Sequence, residues 1–573
     1  MKRGLAAIAA LATSAALAAV PASAHAAGTL TTATYRVTMS DGVQLTATLT
    51  TQGPATAPHP TVVEFSPYGP GSESFPVPAD DNYLLVQIRG TGSSDGSFDA
   101  LGPRTQLDVQ QTLQWACNQS WSQGSLALAG FSASAITVYN SLHLALPCVK
   151  AMILRSGTLE LYRDLLVPGG ILNMVPGLGV LGLIGAPALE QGSTRLQTNP
   201  ASSLDVALGL FSAGLTVFTH PTLDSWWQQR GFQGDVNHVP TLLIDGWFDV
   251  ESRGAFQGYQ QLASEGVPTH LLVVGGHDGA PAGTDDGVGQ VAAWLDHYLG
   301  GVNNGVEAQP AVQMLLSDGS RESYLAGDTV PYQASSWPAP GTTWANLNLS
   351  PAKSGSATSL NDGTLTTATP TTSGTSLLLD IPSIPTNTDV PTTALLGASG
   401  LNQLSSVIPQ LTEMNPSELT ALTFTTAPLT HDVEAAGPLD LDIPVSTTTP
   451  GSGIWAVLTD VSPDGTSHPL TTGRLNTSFP NIIASKSLYS GGVLVQPYGD
   501  FSQQSLILPL IPRMYHVELW PVGNRFKAGD RIRLDIVGVS AFSPTSLPGV
   551  TGVTVGQGSG AVLRFPLLPG NAL

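Results

Sequence analysis

The sequence predicts an α/β domain built on a parallel sheet, opened by a helical insertion and followed by an all-β domain. Three observations carry this. From residue 34 to about 157, short apolar runs alternate with helical stretches, the pattern of a parallel sheet with helices on both faces. From Gly157 to about Val239 strands vanish, and the chain becomes Leu-, Gly- and Pro-rich before the alternation resumes. After about Trp344, Thr, Ser, Pro and Gly dominate, and short alternating runs recur between turn residues, as in a sandwich or jelly roll.

The elements follow in order. "TYRVTMSDGVQLTATLT" alternates and turns at Asp41-Gly42, a hairpin signal. Apolar runs at Thr61–Phe65 and Tyr83–Ile88 read as strands, and Thr105 to Cys117 as a helix. Leu126 to Ala129 forms a strand that reaches Gly130, turns at Ser132 and enters a helix; Val149–Leu154 is the next strand. Beyond the insertion come strand Thr241–Ile244, helix Ser252–Ala263, strand His270–Val274 and helix Asp286–Leu299. The all-β part shows "SLLLDIP", "LDLDIPV", "GIWAVLTDV", "YHVELWPV" and "RIRLDIV".

A length of 573 residues fits two or three domains, and 42% apolar content fits a folded chain. The N-terminus has the parts of a secretory signal: Lys2 and Arg3, an apolar Ala-rich run from Leu5 to Val20, and small-residue cleavage sites ending near Ala26. The expectation is a secreted, extracellular protein with no stable membrane insertion after cleavage. The net charge of −20 argues against nucleic acid and anionic lipid as partners, because phosphates need a basic surface. The other long uncharged run, Leu165 to Leu189, carries three prolines and reads as a lid or pocket wall rather than a membrane span. Export allows Cys117 and Cys148 to pair, with two free buried thiols as the alternative. No Cys/His cluster has metal-ligand spacing, so neither a metal nor another cofactor is expected.

The turn at Ser132 reads G-F-S-A-S. A strand that turns sharply at a serine into a helix is how α/β-hydrolases present a nucleophile, although Ser134 stands where that motif has its second glycine. Such a serine needs a base and an acid to orient it, in the chain order Ser, Asp/Glu, His, each after a strand. "TLLIDGWFDV" supplies Asp249 and "HLLVVGGHDG" supplies His277. Asp245 is an alternative acid, and Ser134 the weaker alternative nucleophile. "IRGTGSSDG" lacks the Lys-Ser/Thr end of a phosphate loop and reads as a tight glycine-bearing loop.

An ordered set of pieces resembles the cocaine-esterase / X-prolyl dipeptidyl-peptidase (S15) family, which also holds α-amino-acid ester hydrolases. They are "SDGVQLTATL", "SPYGP", "RGTGSSDGSF", "SWSQG", "GFSAS", "LYRDLLVPGG", "GWFD", "GGHD", "WLDHYLGG" and "VELWPVGNRFKAGDRIRLDI". The resemblance implies an α/β hydrolase with an inserted helical cap and a C-terminal galactose-binding-like jelly roll. The implied division is signal peptide 1–26, hydrolase halves 29–157 and 240–343, cap 158–239 and jelly roll 344–573. It implies Ser132 as nucleophile, His277 as base, Asp249 as orienting acid, and Tyr68 with the Ala133 N–H as oxyanion-hole donors. The family usually has Tyr and Gly where Ala133 and Ser134 stand, so the site loses an aromatic wall.

The expected function is hydrolysis of a small-molecule ester or peptide through an acyl-enzyme. An X-Pro dipeptidyl aminopeptidase is the alternative, in which Glu160 and Asp164, where the cap begins, would hold the substrate ammonium. A non-catalytic binding protein and an interfacial lipase, suggested by the 165–189 run, are readings of other classes.

Overall fold

The computed structural model describes residues 30–52, 58–76, 81–173, 184–185, 188, 191, 200–380, 413–538 and 549–573. The expected signal segment, 1–26, and residues 174–183, 186–187 and 189 of the apolar run lie outside them.

The expected hairpin forms from β1 (Leu30–Thr38) and β2 (Gln44–Gln52), with Gly42 supplying the positive φ of its turn. β2 pairs antiparallel with β4 (Asn82–Gln87), and β4 lies parallel to β3 (His59–Ser66). From β3 the sheet continues in parallel through β5 (Ser122–Phe131), β6 (Val149–Arg155), β7 (Thr241–Asp245), β8 (Thr269–Val273) and β9 (Val312–Ser317). β10 (Thr329–Ala334) closes the far side antiparallel to β9. β3 to β8 are buried on both faces, which is why they read as continuous apolar runs rather than alternating ones. Helices α1 (Pro103–Cys117) and α2 (Ala133–Ser141) pack beside β5. Cys117 and Cys148 are joined by a disulfide that ties the end of α1 to the start of β6.

The chain leaves the sheet after Arg155 and returns at Thr241. Between them lie a π-helical turn, Tyr162–Leu166, and the long helix α3 (Pro200–Thr219). α3 is tied down on the loop after β4: Ser202 donates to Asp95 at 2.8 Å and Ser97 to the Asp205 carbonyl at 3.1 Å. That loop is the "RGTGSSDG" stretch, pinned by the buried Arg89–Asp108 ion pair at 2.6 Å. Its structural reading therefore has a physical basis: the glycines turn a loop that carries α3.

Helix α4 (Ser252–Ser264) follows β7, and α5 (Val288–Tyr298) follows β8. Beyond Thr343 the described residues form strands with only short helical turns. Val433–Thr447 pairs along Arg513–Phe526, and Gly453–Val461 lies between Ser467–Asn476 and Arg531–Val537, all antiparallel. The two parts pack closely: at Gly523 a Cβ would fall 2.1 Å from the Trp247 ring.

Candidate active site

Ser132 sits between β5 and α2 with φ 58° and ψ −127°, a conformation that is strained for any residue with a Cβ. Neighbouring backbone makes the turn possible. A Cβ on Gly130 would lie 2.5 Å from the Ala135 nitrogen, so only glycine fits there. Ser134, in place of the usual second glycine, is fully buried beside Glu64 and takes no part in the cavity. Ser132 lies in the wall of an apolar cavity of about 100 Å³. Tyr68, Leu101, Ile136, Leu165 and Val217 are among its other walls.

Asp249 follows β7 and is fully buried. Both its oxygens lie 2.9 Å from His277 Nδ1. It also accepts from the backbone N–H of Glu251 at 2.7 Å and from that of His277. Burial alone would raise this carboxyl, but the imidazole and these hydrogen bonds outweigh it and hold the group below its ordinary range. Gly276 is required here, since a Cβ would fall 1.8 Å from Asp249 Oδ2. The His277 ring packs on Phe131, the residue before Ser132, with ring centroids 4.6 Å apart. Asp245 is not in this pair. Its Oδ1 accepts from Gly246 N–H at 2.7 Å, and burial with the nearby Asp249 charge raises its carboxyl well above the ordinary range.

The Ala133 N–H donates to the Tyr68 hydroxyl at 3.2 Å. The two groups expected to hold an oxyanion therefore lie side by side, bonded to each other. Burial pushes the Tyr68 phenol up to about 12, so it keeps its proton and remains a donor.

Glu160 and Asp164 are brought together, but not into the cavity. Asp164 is fully buried and pairs with Arg253 at 2.6 Å. Glu160 pairs with Arg163 at 3.1 Å and accepts from the Tyr498 hydroxyl. Arg253 also holds Glu518 of the all-β part at 3.0 Å. The ammonium-binding expectation for these two carboxylates is corrected: arginines already neutralise them, and they form a seam between chain segments. Among the described residues the carboxyl that does line the cavity is Glu251, which the sequence reading passed over. Its Oε2 is buried without a hydrogen-bond partner, and burial and the charges of Asp249 and Asp164 raise it well above its ordinary value.

The expectation of no metal was drawn from linear spacing. In the fold, Asp440, Asp442 and His516, from neighbouring strands, bring one ligand atom each within 4.8 Å of one another. Arg564 stands 3.4 Å from Asp442 and already supplies a positive charge there.

The X-Pro dipeptidyl-peptidase (S15) sequence profile matches residues 41–278, and the profile of that family's C-terminal non-catalytic domain matches 304–543. The chain belongs to the cocaine esterase / X-Pro dipeptidyl-peptidase family of hydrolases. A cocaine esterase from Rhodococcus is 24% identical over 80% of this chain and 85% of its own. A hydrolase of this family from Staphylococcus aureus superposes with a TM-score of 0.71 at 21% identity, covering 94% of this chain and 93% of its own. An α-amino acid ester hydrolase gives 0.69 at 16%, covering 96% and 98%. The fold is that of an α/β-hydrolase, and the protein is an enzyme of the serine-hydrolase type.

Proposed function

We propose that this enzyme is an exported esterase, acting through an acyl-enzyme on Ser132 with an apolar acyl or leaving group. The observations that carry the reading are the strained Ser132 in the wall of an apolar cavity, and a His277 that packs on the preceding Phe131 with its Nδ1 held by a buried Asp249. Ser132 Oγ attacks the ester carbon while His277 Nε2 takes its proton. The carbonyl oxygen becomes an oxyanion and accepts from the Tyr68 hydroxyl and the Ala133 N–H, replacing the hydrogen bond those groups make to each other. The C–O bond to the alcohol breaks as Nε2 returns the proton to it. Water then repeats the sequence on the acyl-enzyme and frees the acid. Asp249 holds the ring and stabilises the imidazolium in both halves. Residues 158–239 act as the cap, the C-terminal strands as a jelly roll that braces it, and residues 1–26 as the export signal.

A second reading, an X-Pro dipeptidyl aminopeptidase, is favoured by Glu251 alone. A substrate ammonium would give its unpartnered Oε2 a partner and favour its charged form. Hydrolysis of p-nitrophenyl esters and of an X-Pro-p-nitroanilide, by the wild type and Ser132→Ala, separates the two. Ester turnover lost in the variant supports the esterase. Anilide turnover selects the peptidase, and turnover of neither sinks both.

A further inference from the structure

α3 carries an apolar stripe that the described residues leave uncovered. Leu204, Leu208, Phe211, Leu215 and Phe218 recur at helical spacing, and each is 52–67% exposed. Together they expose on the order of 500 Å² of apolar surface, the size at which such patches mark contact sites. The same helix turns Val206 and Leu210 inward, and Ala213 and Val217 line the cavity. Phe218 belongs to both the stripe and the cavity wall, so the exposed face runs into the substrate cavity without a polar break.

Two further facts say what covers this stripe. Helix α3 contains one charged residue, Asp205, and no Lys or Arg. With a net charge of −20 on the whole chain, an anionic surface would be repelled and a neutral one would not. The helix is long and apolar enough to cross a membrane, yet its hydrogen bonds to the loop after β4 hold it against the enzyme, so it would lie along a surface rather than span one. A second exposed apolar run, Leu506, Leu508 and Leu510, lies on the loop that begins at Phe501. The Phe501 carbonyl accepts from Leu223 N–H at 2.8 Å, just past the end of α3.

We propose that α3 docks the cavity mouth on an uncharged lipid surface, so that the site takes water-insoluble neutral esters drawn from that surface. The substrate class rests on the Ser132 reading above; the docking does not. The first arm therefore uses inactive protein. Ser132→Ala should float with a triolein emulsion and with phosphatidylcholine vesicles, and less with phosphatidylglycerol vesicles. Adding Leu208→Ser, Phe211→Ser and Leu215→Ser, none of which lines the cavity, should weaken flotation by at least about tenfold.

The second arm uses active enzyme. Its rate on tributyrin should climb as the ester passes its solubility limit, and the triple variant should lose that climb. Its rate on dissolved p-nitrophenyl acetate should stay within about twofold, which also reports that it is folded. Undiminished flotation of the triple variant, or no flotation at all, overturns the docking. So does a wild-type dimer that the triple variant abolishes in sedimentation, which assigns the stripe to a second copy. Flotation without any ester turnover keeps the docking and overturns the hydrolase reading with its substrate class.

Discussion

One short turn, residues 160–166, faces two environments built on opposite principles. Leu161, Leu165 and Leu166 line the cavity. Glu160, Arg163 and Asp164, interleaved with them, turn into the ion-pair seam with Arg253 and Glu518. Arg253 and Glu251 repeat the split two residues apart, one in each environment. In the seam, charge is buried because it is paired. In the cavity, charge is nearly absent among the described residues, and burial raises the Glu251 carboxyl there well above its ordinary range. A carboxylate close to the site along the chain is thus not a carboxylate in the site; its nearest arginine decides.

The largest effect should come from the cavity side. Ser132→Ala should lower kcat about 10⁶-fold, and adding His277→Ala should cost little more, because the two act as one unit. Single-turnover kinetics and a thermal melt check this: activity falls while the melt stays near wild type. The seam should respond in the opposite way. Arg253→Met leaves Asp164 buried and unpaired and should cost about 3–5 kcal/mol in chemical denaturation, most of it recovered by adding Asp164→Leu. A loss of activity without a loss of stability would join the seam to the catalytic site and erase the contrast.

Tyr68→Phe removes one oxyanion donor and should lower kcat about 10²–10³-fold, with KM little changed. A change in KM alone would make Tyr68 a wall rather than a donor.

A smaller effect lies at Asp278, next to His277. Burial outweighs its pairing with Arg321 at 3.2 Å and pushes it up to about 6. A carboxyl raised on folding favours the folded state below its unfolded value and loses that contribution as pH rises through its folded value. Stability should fall between pH 4 and 6 by up to about 3 kcal/mol, and Asp278→Asn should flatten that slope in urea titrations. An unchanged slope would assign it to other groups.

The smallest expected change is Glu251→Gln. It should leave kcat/KM for an apolar ester within about twofold, and raise KM only for substrates bearing an ammonium.

Much of the site was legible because each chemical group stands directly after an apolar strand, where sequence order becomes spatial order at one sheet edge. That order marked Ser132, Asp249 and His277 as candidates, and it placed β3, β4 and β6 to β8 to within a residue or two, while β5 begins four residues before its apolar run. Tyr68 was legible only through the family resemblance, since a loop tyrosine carries no local signal. Glu160 and Asp164 were misassigned because their partner Arg253 lies about ninety residues on and Glu518 lies in the all-β part, beyond any local pattern. Glu251 was visible two residues after Asp249, but nothing local says which way a carboxyl after a strand turns. β10 escaped notice because Pro331 breaks its strand pattern, and Val433–Thr447 was read only from Leu439 on because Pro438 interrupts it.

The most direct test of the central claim is the site of covalent attack. The protein is treated with a fluorophosphonate, digested, and the modified residue located by mass spectrometry. The account predicts a single adduct on Ser132, abolished in His277→Ala. An adduct on Ser134 or elsewhere, or none under conditions where the enzyme hydrolyses esters, would contradict it.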